Sequence, residues 1–394
     1  MDWSSTALQY KAGLLDQVIP FWENYSRDEA YGGYFTCLDR RGVVYDTDKF
    51  VWLQGRQVWM FATLYNRVEK RPQWLDMAWH GARFLHKHGH DGRFNWYFSL
   101  TREGRPLIQP CNIFSDCFAA MAFGQLFAAT GDEQLADIAR KTFENIIRRA
   151  GNPKGIWNKA YPGTRPLKGF SLPMILCNLS LELEHLLERE LVERTISDCI
   201  HEVMDVFYDQ ETGLIRENVQ PDGSGSDSFE GRLLNPGHAI EAMWFIMDLS
   251  VRLSQPALAK RAVEIMLRTL NFGWDGEFGG IYYFLDSQGH PPQQLEWDQK
   301  LWWVHIETLI SLIKGLALTG DPECAAWFAR VHEYTWARFP DLQYGEWFGY
   351  LNRRGEVLLP LKGGKWKGCF HVPRGLLQVW KTIDQHLDVD AGRP

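Results

Sequence analysis

The sequence predicts an all-α fold: an (α/α)6 barrel of six helical hairpins, with short β-hairpin loops at the barrel mouth. Three observations carry that expectation. A glycine-led aromatic motif recurs six times, helices of two kinds alternate between its copies, and the more apolar kind begins with a few polar residues. Residues 1–394 are read as a single catalytic domain.

The motif is clearest in "GGYFTCLDRRG" (Gly32–Gly42), "GGIYYFLDSQG" (Gly279–Gly289) and "GEWFGYLNRRG" (Gly345–Gly355). "GRFNWYFSLTREG" from Gly92 is a longer version, and "KGIWNKAYPG" and "TGLIRENVQPDG" are weaker ones. The leading glycines Gly33, Gly92, Gly155, Gly213, Gly280 and Gly345 are separated by 59, 63, 58, 67 and 65 residues. A fixed period of this length marks a repeat architecture.

Between the motifs, "KFVWLQGRQVWMFATLYNRVE" is apolar nearly all round, as a fully buried helix is. "QWLDMAWHGARFLHKHG" follows it and is amphipathic, as an outer helix is. The alternation recurs from Asn112, Asn235 and Asp298. An open solenoid of helix pairs shares this pattern. The regular short hairpins favour closure into a barrel whose inner helices share one mouth.

Composition narrows the function. The 18 tryptophans suit either a large core or a cleft whose flat rings cover sugar faces. A net charge of −7 argues against nucleic acid as the main partner. No run approaches the roughly 18 consecutive apolar residues of a membrane helix, and the N-terminus lacks a signal-peptide pattern, so neither a membrane nor a secretory role is expected. The seven cysteines are scattered, which fits reduced thiols and a cytoplasmic protein.

Polar residues near the starts of apolar helices are the candidate site. The first inner helix offers Gln54, Arg56 and Gln57; the second, Asn112, Ser115 and Asp116; the third, Asn178. The fourth offers His238 and Glu241, the fifth Lys300, Trp302, Trp303, His305 and Glu307, and the sixth His371 and Arg374. Pro173, Pro236 and Pro373 suit first helical positions, which puts His238 in a first turn and His371 just before an N-cap. Helix dipoles there favour neutral imidazoles, and Glu241, three residues on, is placed to orient His238. Two bases flanking one pocket suit removal of a proton from one face of a carbon and its return to the other. With a sugar this is epimerisation beside the aldehyde, Arg56 stabilising the enolate oxygen. A glycoside hydrolase would need two opposed carboxylates, for which Asp116, Glu230, Glu241 and Glu307 are available. No metal-binding spacing is present, and no metal is expected.

"KGGKWKGCFHVPR" (Lys362–Arg374) is lysine- and glycine-rich but lacks the GxxxxGK[ST] pattern of a P-loop. With "KFVWLQGRQVW", "FSDCFAAMA", "GRLLNPGHAIEAMWF", "GGIYYFLD", "QLEWDQKLWWVHIE" and "QYGEWFGYLNRRG", it closely resembles the N-acylglucosamine 2-epimerases, from about residue 10 to 385. The resemblance implies interconversion of N-acetylglucosamine and N-acetylmannosamine, a homodimer, and activation by ATP that is not hydrolysed. It implies catalytic roles for His238 and His371, with Arg56, Asn178, Glu241, Glu307 and Arg374 in support. Trp303 joins them as a substrate-binding residue, and Lys365 and Lys367 are assigned to the ATP phosphates. Relatives acting on cellobiose or mannose commonly have a histidine where "MILCNL" places Asn178, which favours the N-acetylated sugar. The alternatives are an aldose or cellobiose epimerase, a mannose isomerase, or a non-catalytic sugar- or protein-binding member.

Overall fold

The computed structural model describes residues 1–161 and 163–387. Among them, two concentric rings of helices form the barrel. The inner ring is Val51–Arg67, Ile113–Thr130, Ser171–Leu183, Pro236–Arg252, Trp302–Thr319 and His371–His386. Five outer helices follow the first five inner ones: Pro72–His88, Glu133–Arg149, Arg189–His201, Pro256–Gly273 and Pro322–Arg338. The sixth outer position is filled by the N-terminal helix over 3–25, which packs on His371–His386. The last hairpin is therefore assembled from both ends of the chain, and this closes the ring.

The two helix types separate as their patterns require. From Val51 to Leu64 every residue except Trp52 is buried. In the outer helix Pro72–His88 burial falls on Trp74, Met77, Ala78, Gly81, Ala82 and Leu85, the stripe of an amphipathic helix. Ile113–Thr130 is apolar and long enough to cross a membrane by composition, but it is 72% buried as an inner barrel helix. One continuous apolar core joins both rings.

At the mouth the six leading glycines share one conformation. Gly33, Gly92, Gly155, Gly213, Gly280 and Gly345 all have φ between 55° and 78°, where a side chain is strained. The loops also interlock in a repeating way. Residues just ahead of an inner helix pair with the hairpin of the next repeat: Lys49–Phe50 with Ser99–Leu100, Lys168–Gly169 with Asn218–Val219, Leu233–Leu234 with Leu285–Asp286, and Lys300–Leu301 with Tyr350–Leu351. Leu361, ahead of the sixth helix, pairs with Asp39 of the first hairpin; among the described residues no such pairing joins the second inner helix to the third hairpin.

Buried charge ties part of this rim together. Asp28, Asp275 and Asp341 each turn a hairpin by accepting backbone N–H groups. Each also takes a fully buried lysine: Lys49 at 2.8 Å, Lys300 at 3.1 Å and Lys362 at 3.0 Å. An arginine from the next hairpin completes each cluster, Arg102 on Asp28, Arg353 on Asp275 and Arg40 on Asp341. Although burial opposes ionisation, these partners hold Asp28 and Asp341 at about 2. The fifth, sixth, first and second hairpins thus form one clamped arc. Lys362 of the "KGGKWKG" loop is one of its clamps.

Candidate active site

The inner helices bring Arg56, Glu241, Glu307, His371 and Arg374 into one buried cluster. Arg56, Glu241 and Glu307 are each five residues past their helix's first residue, so they lie about 7–8 Å below the rim at 1.5 Å per residue. Glu307 accepts from Nδ1 of His371 at 2.8 Å, from Trp244 at 2.9 Å and from Arg374 at 2.6 Å. The same Nη2 of Arg374 bonds Glu241. Arg56 lies against the rings of Phe118, Trp52 and Phe370, 4.0, 4.4 and 4.7 Å from their centroids. Burial pushes its guanidinium down to about 9, with Glu241 pulling the other way.

His238 stands opposite. Asn235 caps its helix by accepting from the His238 backbone N–H, and Pro236 fills the first helical position. Its Nδ1 is bonded to Glu217, at 3.0 and 3.2 Å from the two carboxylate oxygens. The Trp303 ring lies between the two imidazoles, 5.2 Å from His238 and 5.8 Å from His371. Gly237 makes room for that ring, since a Cβ there would meet it at 2.6 Å. Both histidines direct Nδ1 at a carboxylate, so the Nε2 atoms are the ones free to exchange protons.

Electrostatics separates the pair. Burial, reinforced by Arg56 and Arg374, drives His371 well below an ordinary histidine against the opposing pull of Glu241. Burial would lower His238 too, but Glu217, aided by Glu241, outweighs it and leaves that ring above its ordinary value. The pair is thus biased in opposite directions, His371 towards the neutral form and His238 towards the protonated one.

Several expectations change at this level. Helix dipoles were expected to keep both imidazoles neutral; for His238 the nearby carboxylates win. Glu241 was expected to orient His238, but it bonds Arg374 while Glu217 orients the ring. His371 is the first residue of its helix, not a residue before the N-cap. Pro173 and Pro373 are third residues of theirs, which is tolerated because first-turn N–H groups have no helical acceptor. His305, two residues from Trp303, is structural: Nδ1 donates to the Leu301 carbonyl at 2.7 Å and Nε2 accepts from Ile281 at 3.0 Å. Burial takes it down to about 3.

Asn178 is buried in the third inner helix, and its side-chain oxygen has no partner. Nε1 of Trp52 and Trp302 and Nε of Arg56 are likewise buried and unpaired. Lys365 is exposed at the rim, over Trp366 and Phe98. Lys367 does not serve as a phosphate ligand in this arrangement. It is 1% exposed and bonded to Glu346 and the Lys362 carbonyl, each at 2.8 Å, so its charge is already matched inside the loop.

Glu241, Glu307 and His371 place one ligand atom each within 4.8 Å of one another, close enough for a metal ion. Arg374 already bridges the two carboxylates there and lies 3.5 Å from Nδ1 of His371, so a metal would have to displace a buried guanidinium. The carboxylates of the hydrolase reading are also committed. Asp116 pairs with Arg149 at 2.8 Å, and Glu230 pairs with Arg165 at 3.1 Å on the surface.

Two cavities flank the site without being lined by either histidine. One, of about 680 Å3, opens between the far ends of the inner helices and has Arg374 in its wall. The other, about 1450 Å3, lies beside the loop over 151–169 and is lined by Lys154, Arg165, Lys168 and Arg194.

Glu217 is not among the sequence candidates because it lies in a hairpin loop, away from the helix starts. The available signal was its place in the fourth hairpin, "TGLIRENVQPDG", just ahead of the strand Asn218–Val219.

Residues 33–372 match the family model described as N-acylglucosamine 2-epimerase (GlcNAc 2-epimerase). The chain is 41% identical over 383 residues to the N-acylglucosamine 2-epimerase of Bos taurus, covering 95% of this chain and 90% of that one. It is 39% identical to the Homo sapiens N-acylglucosamine 2-epimerase, with 96% and 90% covered. The solved cellobiose 2-epimerase of Bacillus thermoamylovorans superposes with a TM-score of 0.82 at 19% identity, covering 96% of this chain and 99% of that one. A family match over most of the chain, on an α/α barrel with two imidazoles at its mouth, settles the membership: this chain is an isomerase of the N-acylglucosamine 2-epimerase family.

Proposed function

We propose that this protein interconverts N-acetylglucosamine and N-acetylmannosamine by two-base epimerisation at carbon 2 of the open-chain sugar. The observation that carries the reading is the pair of oppositely tuned imidazoles on either side of Trp303. Nε2 of one histidine takes the proton from carbon 2, and the C–H electron pair forms the enolate with its charge on the aldehyde oxygen. The other Nε2 delivers a proton to the opposite face, and the aldehyde re-forms. Each such group contributes about 10²–10⁴-fold. Arg56, charged and dry, is the group for the enolate oxygen.

The orphaned Trp52, Trp302, Arg56 and Asn178 atoms support a hydroxyl-rich ligand, since buried polar groups are normally paired. Asn178 Oδ1 suits the N–H of an N-acetyl group. The test is a comparison of kcat/KM. N-acetylmannosamine should exceed mannose and cellobiose by at least about tenfold, the loss expected when a buried polar group is left unpaired. Equal values would favour the aldose-epimerase reading.

ATP as a non-hydrolysed activator is part of the proposal, supported by the family resemblance. Of the residues first assigned to it, only Lys365 is free to meet phosphate. The cleft beside the third loop is the candidate we favour: it has room for a nucleotide, and Lys154 and Arg194 stand on its wall outside the ion pairs that hold Arg165 to Glu230 and Lys168 to Glu202. A homodimer is proposed on the same resemblance. A cytoplasmic location is proposed from the seven cysteines, all free thiols.

A further inference from the structure

Glu217 reaches His238 from a position that the backbone fixes on both sides. Its N–H donates to the Leu233 carbonyl at 3.4 Å, and its carbonyl accepts from the Phe170 N–H at 2.9 Å. The next two residues, Asn218–Val219, pair with Lys168–Gly169 at the start of the third inner helix. The carboxylate is thereby set beside Nδ1 of His238, with both oxygens within 3.2 Å. The other charged or titratable groups around the ring are few. Glu241 lies on the same helix and is bonded to Arg374; His371 faces it from the sixth inner helix. The fifth contributes the uncharged Trp303, and Tyr283 lies within the field of Glu217. Glu217 is therefore the only carboxylate among the described residues that bonds this imidazole.

We propose that Glu217 is the positioning residue of His238: it fixes the ring through Nδ1 and sets which of the two imidazoles carries the proton when substrate arrives. The inference rests on the two-base reading but concerns a residue that reading does not use. A carboxylate on Nδ1 locks the tautomer, keeps Nε2 aimed into the site and stabilises the imidazolium. His371 differs in kind. Its carboxylate partner, Glu307, also binds Arg374, which neutralises it. The asymmetry between the bases thus comes from one unshared carboxylate on one side and a carboxylate–guanidinium cluster on the other.

The test uses the full-length protein with 15N-labelled histidine, and Glu217→Gln and Glu217→Asp as variants. Glutamine keeps the shape and a hydrogen-bond acceptor but loses the charge. The His238 resonance, assigned with His238→Asn, should titrate at least about one pH unit lower in Glu217→Gln, the size expected for losing an adjacent opposite charge. The His371 resonance should not move. In assays the alkaline limb of kcat should shift down by the same amount with KM little changed, and Glu217→Asp should restore most of the shift. An unmoved His238 titration, equal shifts in both histidines, or a rise in KM alone would overturn the proposal. The titration is read without sugar. If it falls as expected while the wild-type protein epimerises nothing, the functional reading fails and the role of Glu217 in holding His238 stands.

Discussion

The rim of the barrel has two unlike halves. In the fifth, sixth, first and second hairpins, Asp28, Asp275 and Asp341 are each held by a buried lysine and by an arginine from the next hairpin. The third and fourth loops have no buried lysine of this kind among the described residues; they rest on Arg165 with Glu230, Lys168 with Glu202 and Arg216 with Asp209, all partly exposed. His371 emerges from the clamped half into a sealed cluster of arginines and carboxylates. His238 lies against Glu217, which belongs to the looser half. The difference shows how one mouth sets two identical side chains to opposite tasks. A cation-rich wall biases one imidazole towards its neutral form, and a single carboxylate beside a loop strand biases the other towards its charged form.

The largest expected effect tests whether both halves are needed. His371→Asn or His238→Asn should each lower epimerisation by about 10²–10⁴-fold or more, with circular dichroism unchanged. Substantial turnover by either variant would reduce the comparison to one functional half. Next comes the clamp. Asp275→Asn or Asp341→Asn leaves a buried ammonium without its carboxylate and should cost about 3 kcal/mol or more. Glu230→Gln, on the exposed pair, should stay within about 1 kcal/mol. Thermal unfolding would show this contrast as a large fall in Tm for the first variants and a small one for the last. Equal falls would erase it.

Acid unfolding sharpens the same contrast. Asp28 and Asp341 are held at about 2 in the folded protein, against about 3.9 in an unfolded chain. Their contribution to stability should be fully present above about pH 4 and lost as pH falls towards 2. Urea midpoints should decline over that window in the wild type, and less steeply in Asp341→Asn. An identical decline would place the acid sensitivity elsewhere. Lys367→Ala leaves the buried Glu346 without its ammonium and should lower Tm about as much as Asp341→Asn, whereas Lys365→Ala, at an exposed position, should leave it unchanged. The smallest effects belong to the third loop. Replacing Lys154 and Arg194 with Ala should raise the ATP concentration for half-activation a few-fold, as exposed contacts contribute about 0.2–1 kcal/mol each. An unmoved midpoint would take the nucleotide out of the third loop's cleft.

Much of this was legible in the residues themselves. The six glycines announced the repeat because each needs a left-handed backbone, and Val51–Leu64 announced an inner helix because it has no polar face. The motifs "NPGHAIEAMW" and "CFHVPR" placed both histidines at the mouth. What could not be read was pairing across repeats. Nothing local distinguishes Lys362, buried on Asp341, from Lys365, exposed three residues on. Nor does spacing reveal that Glu217, 21 residues before His238, reaches it ahead of Glu241, three residues after. The N-terminal helix as the sixth outer helix was equally hidden, since that partnership joins opposite ends of the chain.

The central claim is that two imidazoles exchange the carbon 2 proton on opposite faces of the sugar. Proton NMR in heavy water tests it most directly, using N-acetylmannosamine and N-acetylglucosamine with the wild type, His238→Asn and His371→Asn. The wild type should interconvert the sugars and place deuterium at carbon 2 of both. Each single variant should exchange the carbon 2 proton of one epimer only, without inversion, and the two variants should choose different epimers. Interconversion with the original proton retained throughout, or both variants exchanging the same epimer, would contradict a two-base mechanism at His238 and His371.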